Sequence, residues 1–308
     1  MRPLRRRRPH ARMPSTPPSI VCFGEILWDI LPRGRFPGGA PFNVGFHLHA
    51  QGADVLLASA VGCDEFGNEL LSRLRSAGIP TAGITRHADL PTGTVHAKVA
   101  PEGDAQYQIV ENVAWDRIEL NPAVLAAAAK ARAIIFGSLA QRSTYNRNSL
   151  DELLEVADPE AWRVFDINLR SPHDDLALAG LLASRATLLK LNSAEAARLA
   201  TGADERPGRE EQDARRLQSE TGCRLVCVTA GARGAGILAD GKWYWETGRA
   251  VAVADTVGAG DAFLATLLLR LLEAPKGVQP ALTAACRMGE WVATQPGATP
   301  AYGPSTPR

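Results

Sequence analysis

Apolar runs of strand length alternate with amphipathic or Ala/Leu-rich stretches along most of this 308-residue chain, and that alternation limits the fold more than any other feature. Strand patterns near 55–61, 133–137 and 163–167 are interleaved with helical patterns near 65–77 and 147–157. Strands that each feed a helix and return in the same direction predict an α/β fold, a mainly parallel sheet flanked by helices on both faces. A prior of about 150 residues per domain leaves room for one large domain or two small ones.

One region breaks the pattern. From Thr92 to Trp115 the residues alternate about a Pro101-Glu102-Gly103-Asp104 turn, which is hairpin chemistry and predicts a small β element set apart from the main sheet.

Asp255-Thr-Val-Gly258-Ala259-Gly260-Asp261 carries the strongest chemical signal. Arg249–Ala254 before it reads as a buried strand, and Asp261–Leu272 after it reads as a helix apolar on most faces. Gly258 and Gly260 allow close backbone approach to a ligand, and the free N–H groups of a helix start favour an anion such as phosphate. An Asp at a helix start is commonly only a cap. Here a second carboxylate, Asp255, opens the turn, and Gly-Ala-Gly leaves no bulky side chain between the anion site and Asp261. A substrate hydroxyl lying between the two would lose its proton to Asp261 as a phosphoryl group moves onto it.

Four other stretches are candidates for binding. Gly24-Glu25-Ile-Leu-Trp-Asp29 follows an apolar strand at Ile20–Phe23, and Gly38-Gly39-Ala-Pro-Phe-Asn43 comes soon after. A carboxylate that accepts and an amide that does both can bond neighbouring hydroxyls, although Gly-Gly before Asn also fits turn and cap chemistry. Lys190-Leu-Asn192-Ser-Ala-Glu195 enters a helix from a strand; its Asn and Glu suit either a water-clad Mg²⁺ or a capping box. Asp166-Ile-Asn168-Leu-Arg170 lies at a strand's C-terminal end, where ligands collect in parallel sheets. Thr229-Ala-Gly231-Ala-Arg-Gly234 reads as a nucleotide turn or as a hairpin with structural glycines.

Together these stretches resemble the ribokinase-like sugar kinases, the pfkB carbohydrate kinases, over about Ser19–Tyr302. The resemblance implies a ribokinase-like kinase domain over 19–302, with a small β lid from about 27–37 and 91–115. It implies ATP as co-substrate, with Asp261 as base and Gly258, Ala259 and Gly260 as anion hole. It places the sugar on Asp29, Gly38, Gly39, Asn43, Asn168 and Arg170, and the nucleotide on Lys190, Asn192, Thr229, Gly231 and Gly234. Asn192 and Glu195 would organise Mg²⁺ through water. Asp255, Val257 and the region near Gln295 would hold a monovalent cation, K⁺ in many relatives. Related lids also form homodimer interfaces. Gly-Glu-x-Leu-x-Asp, Gly-Gly-Ala-Pro-Phe-Asn-Val and Gln295-Pro-Gly-Ala-Thr-Pro300 resemble fructokinase-like members and imply D-fructose. Relatives acting on 2-keto-3-deoxygluconate place an Arg close after a lid Tyr, whereas Tyr107 is followed by Gln-Ile-Val.

Other classes fit less well. Val257–Phe263 imitates a dinucleotide fingerprint, yet Phe263 replaces the third glycine and Asp261 would face the pyrophosphate. A sugar sensor without catalysis would not need Asp261, Asn192 and Glu195. The Gly-x-x-x-x-Gly-Lys-Ser/Thr loop and the Asp-Phe-Gly triplet of other kinase classes are absent. The first twelve residues hold six of the 34 basic residues and no acidic one, so the rest of the chain is mildly acidic and offers nothing for nucleic acid. Residues 1–18 read as a disordered basic, Pro-rich tail, with Met13 an alternative start, and 303–308 as a flexible end. Five cysteines without a Cys-x-x-Cys pair predict free thiols in a reducing compartment, with Cys22 and Cys227 in the core. No apolar run is long enough for a membrane span, which predicts a cytoplasmic protein. His47 and His49 read as helix-face residues rather than metal ligands.

Overall fold

The computed structural model describes residues 17–32, 34–99 and 105–307; the basic tail through residue 16, the Pro101–Asp104 turn and the last residue lie outside them. In chain order the strands are β1 Ser19–Phe23, β2 Leu27–Leu31, β3 Gly34–Gly38, β4 Asp54–Gly62, β5 Ile84–His87, β6 Gly93–Val99, β7 Ala105–Ile109, β8 Ala133–Gly137, β9 Trp162–Asp166, β10 Leu188–Asn192, β11 Leu225–Thr229, β12 Gly234–Ala239 and β13 Lys242–Thr247. The helices are α1 Ala40–Ala50, α2 Glu65–Ser76, α3 Pro122–Ala128, α4 Thr144–Val156, α5 Leu176–Ala183, α6 Ser193–Thr201, α7 Glu210–Thr221, α8 Ala259–Glu273 and α9 Val278–Ala293.

Nine strands form one sheet in the order β13-β12-β11-β10-β9-β8-β1-β4-β5. Neighbours from β11 through β5 run parallel, while β12 and β13 close one edge as an antiparallel pair. The sequence of β1 shows why both faces are covered. Its residues point alternately to opposite faces: Ile20 and Cys22 enter one apolar core, Val21 and Phe23 the other. The first core collects α1, α2, α8 and α9, and the second collects α3 to α7. Phe136 of β8 and Phe165 of β9 stack at 5.2 Å in the second core. Cys22 and Cys227 are buried and unbridged, as are Cys223 and Cys286; Cys63 is exposed and unbridged.

Strands β3-β2-β6-β7 form a separate four-stranded sheet; β6 and β7 lie in the region that breaks the main pattern, and β2 and β3 in the stretch near 27–37 that the resemblance implies. Glu69 of α2 ties it to the body. Its carboxylate takes Arg35 of β3 at 2.5 Å and Arg73 of α2 at 2.8 Å, and Arg73 lies 4.8 Å over the buried ring of Trp28 on β2.

Arg249–Ala254 is not a strand. Strand β13 ends at Thr247 with only β12 beside it, and the following residues cross to α9, where Ala254 and Asp255 donate their N–H groups to the carbonyl of Ala293. A short Val-Ala alternation without a neighbouring edge has no ladder to join, and Val253 stays 61 % exposed.

Candidate active site

Helix α8 starts at Ala259, two residues before the Asp261 at which the sequence pattern begins it. Gly258 adopts φ +79°, and a Cβ there would come within 2.5 Å of the Ala298 backbone, so only glycine suits this cap. Ala259 donates to Thr256 and Ala262 to Gly258, leaving the N–H groups of Gly260 and Asp261 as the helix's open first-turn donors. Gly260 lies over the ammonium of Lys190: a Cβ would sit 3.2 Å from Nζ. Two open donors, a helix start and a buried cation therefore converge on one point, which suits an anion.

Asp261 is buried on the first turn of that helix, and its Oδ2 accepts a 2.8 Å hydrogen bond from Nδ2 of Asn43 on α1. Burial, then the Asp166 carboxylate, pushes its pKa up to about 6 against the pull of Lys190, Asn43 and Arg170. A carboxyl raised this far remains ionised near neutral pH and accepts a proton more readily than an ordinary Asp. Asn43 spends its amide hydrogen on Asp261 and keeps its carbonyl oxygen without a partner.

The small sheet contributes Asp29, whose carboxylate lies so close to Gly38 that a Cβ there would meet Oδ2 at 2.3 Å. Gly39, at φ +110°, packs against the backbone of Glu25. Burial raises the Asp29 carboxyl to about 6, with Arg170 opposing. Asn168 stands at the end of β9 with φ +43°, and Arg170 is exposed beside it, its charge felt at Glu25, Asp29 and Asp261.

Lys190 is buried and holds both oxygens of Asp166, at 2.9 and 3.2 Å. Burial works to lower its pKa, but Asp166, Glu195 and Asp261 outweigh it and keep the ammonium charged. Asn192 and Thr229 are register partners at the C-terminal ends of β10 and β11, so the two nucleotide candidates stand side by side. Gly231 and Gly234, at φ +57° and +118°, shape the turn into β12.

Asn192 and Glu195 form a reciprocal capping box, with Asn192 Oδ1 accepting from the Glu195 N–H at 2.8 Å and Glu195 Oε2 accepting from the Asn192 N–H at 2.9 Å. Glu195 Oε1 also accepts from the Leu169 N–H at 2.8 Å, tying β9 to α6. Among the described residues no group of three or more His, Cys, Asp and Glu is placed to hold a metal ion. A carboxylate already bonded at both oxygens fits a magnesium ion held through water rather than by direct ligation. Glu195→Gln is expected to lower Tm, at a cost of about 1–3 kcal/mol for a backbone donor left unpaired, and to raise the Mg²⁺ needed for half-maximal rate. A magnesium titration unchanged beside a lowered Tm would leave Glu195 as a cap alone.

Asp255 accepts from the N–H of Val257 at 3.1 Å and from that of Gly297 at 3.3 Å, joining the two loops singled out for a monovalent cation.

Several residues escaped the sequence reading. Glu25 is buried, accepts from the Ala40 N–H through Oε1, and has no partner at Oε2; burial raises its pKa to about 7. Ser138 Oγ, Trp115 Nε1 and both polar ends of the fully buried Gln141 also lack partners. Gly24-Glu25 sat inside a quoted motif, but Gln141 belongs to none. Buried polar atoms without partners are uncommon and call for a ligand or ordered water. Surface clefts of about 420 and 270 Å³ lie against α9 and beneath β3, and neither is lined by Asp261.

Comparison with known proteins bears on the family and the fold. The family described as pfkB family carbohydrate kinase matches residues 32–303. Fructokinase-1 of Oryza sativa subsp. japonica is 28 % identical over 91 % of this chain and 93 % of its own length. A fructokinase from Xylella fastidiosa with bound ATP superimposes with a TM-score of 0.79 at 24 % identity, covering 91 % of this chain and 93 % of that one. A fructokinase from Vibrio cholerae with fructose, ADP and calcium bound gives 0.76 at 23 %, over 91 % and 95 %. A ribokinase-like fold, a helix start prepared for an anion and a buried carboxylate beside it thus meet in a chain matched over most of its length: it belongs to the pfkB family of carbohydrate kinases.

Proposed function

We propose that this sugar kinase transfers the γ-phosphoryl group of ATP to a primary hydroxyl of a free ketohexose, D-fructose at O6. The observation that carries the reading is the Asn43–Asp261 bond beside the open donors of Gly260 and Asp261 and the Lys190 ammonium. The acceptor hydroxyl lies between Asn43 and Asp261. Its proton goes to Asp261, its oxygen forms a bond to the γ-phosphorus, and the bond from that phosphorus to the bridging oxygen breaks to release ADP. The Gly258-Ala259-Gly260 turn, through the N–H groups of Gly260 and Asp261 that it leaves open, stabilises charge on the transferring group, with Lys190 beneath it.

Asp29, Gly38, Gly39 and Asn43 hold ring hydroxyls, with Asn168 and Arg170 at the rim. Asn192, Thr229, Gly231 and Gly234 hold the nucleotide. Magnesium, when bound near Asn192 and Glu195, neutralises phosphate charge. Asp255 and Val257 form a candidate potassium loop. The small sheet acts as a lid that excludes water, and its outer face as a homodimer contact. Five unbridged cysteines, and no helix among the described residues long and apolar enough to cross a membrane, support a cytoplasmic setting.

Three carboxylates, Glu25, Asp29 and Asp261, share the influence of the single Arg170 guanidinium. This excess of acceptors favours a neutral polyol over a sugar acid. An ADP-release screen over fructose, ribose, tagatose, 2-keto-3-deoxygluconate and nucleosides is expected to give fructose the highest kcat/KM. A tenfold advantage for the acid or for a nucleoside would overturn the fructose assignment and leave the sugar-kinase assignment standing.

A further inference from the structure

We infer that His47 is a positioning residue for the anion hole: its imidazole fixes the carbonyl of Ala298, which in turn walls Gly258. The inference rests on the anion-hole role proposed above for Gly258–Gly260.

His47 lies one turn beyond Asn43 on the same face of α1 and is fully buried. Its Nε2 is 2.9 Å from the Ala298 carbonyl oxygen and its Nδ1 is 2.9 Å from the Tyr302 hydroxyl. A carbonyl only accepts, so Nε2 carries the proton. Burial pushes the imidazole pKa down to about 4, which keeps the ring neutral near pH 7. Its Nδ1 must then accept from the tyrosine, and one tautomer satisfies both bonds.

The oxygen held by His47 is an atom against which Gly258 is packed. A Cβ on Gly258 would meet the Ala298 oxygen at 2.6 Å and its Cα at 2.5 Å. Asp255 holds the same loop from the other side, through the Gly297 N–H. Helix α1 therefore reaches both halves of the reacting centre: Asn43 orients the base, and His47 sets the wall of the glycine turn. Tyr302 packs edge-on against Trp291 of α9, at 5.3 Å, and so joins the C-terminal segment to this clamp.

His47→Phe removes both bonds while roughly filling the space. It is expected to lower kcat on the order of 10- to 100-fold with the sugar KM within a few-fold, as a misplaced donor set would. His47→Gln retains an N–H donor near the Nε2 position and is expected to recover most of that loss. Imidazole ¹⁵N NMR of the full chain near pH 7 is expected to show a neutral Nε2–H tautomer, a signature that packing alone does not require. The inference fails if the spectrum shows Nδ1–H, if a folded His47→Phe protein keeps more than half of wild-type kcat, or if His47→Gln and His47→Phe lose turnover equally with a matching fall in Tm. Should His47→Phe not fold, the tautomer and the Gln variant decide. An active Asp261→Asn protein would instead sink the underlying catalytic reading, whereas an inactive one beside a fully active His47→Phe protein would sink only the clamp.

Discussion

Asp261→Asn is expected to lower kcat by ~10²–10⁴ while nucleotide affinity changes only a few-fold, because it removes the proton acceptor and leaves the glycine turn in place. Asn43 can still bond the carbonyl oxygen of the new amide, so the local geometry should persist. In the wild type, kcat/KM should fall as pH drops below about 6, where the buried Asp261 carboxyl takes up its proton. Stability should move the opposite way. A carboxyl whose folded pKa is raised binds its proton more tightly in the native state, so between the ordinary Asp value and about 6 each rise in pH costs stability. The Asn variant escapes that cost; its Tm should exceed the wild-type value at pH 7.5, with the gap narrowing toward pH 4. Steady-state kinetics with more than half of wild-type kcat would reject the catalytic assignment, whatever the melting curves show.

Legibility in the sequence followed the range of the interaction. The alternation in β1 and the glycine turn and helix at 255–272 are local patterns, and the structure repeats them to within two residues at β1 and α8. Strands β6 and β7 were legible because their period of two departs from the helical periods around them, whereas β2 and β3 were reached only through the family resemblance. Arg249–Ala254 was misread because a strand is defined by its neighbour, and strand order is not written in the segment itself. The Asn43–Asp261 bond spans 218 positions and was approachable only as two separate motifs. The Lys190–Asp166 pair depends on β9 and β10 being adjacent and in register. Asn192 and Glu195 show a different limit. A capping box and a magnesium-organising pair require the same residue types at the same spacing, so geometry, and finally a titration, must separate them. Gln141 left no signal and His47 read only as a helix-face residue, since what marks each is burial set by distant parts of the chain.

Lys190→Met should be the most destabilising change in the site. It leaves the Asp166 carboxylate 3 % exposed and without the ammonium that holds both its oxygens, and breaking a buried pair from one side costs ~3–5 kcal/mol. Turnover should fall too, by ~10²–10³, if the ammonium under Gly260 stabilises the transferring phosphoryl group as a preorganised donor does. The two effects can be separated. Pairing Lys190→Met with Asp166→Leu removes both charges, and two well-packed apolar side chains should recover much of the lost stability in a urea melt. Turnover should not recover, since no cation remains beneath the glycine turn. The double variant takes both the like charge of Asp166 and the opposing charge of Lys190 away from Asp261, so their effects on the acid limb of any residual activity largely offset. If the double variant regained wild-type turnover along with its stability, Lys190 would be a structural counter-ion to Asp166, and the anion site would consist of the helix start alone.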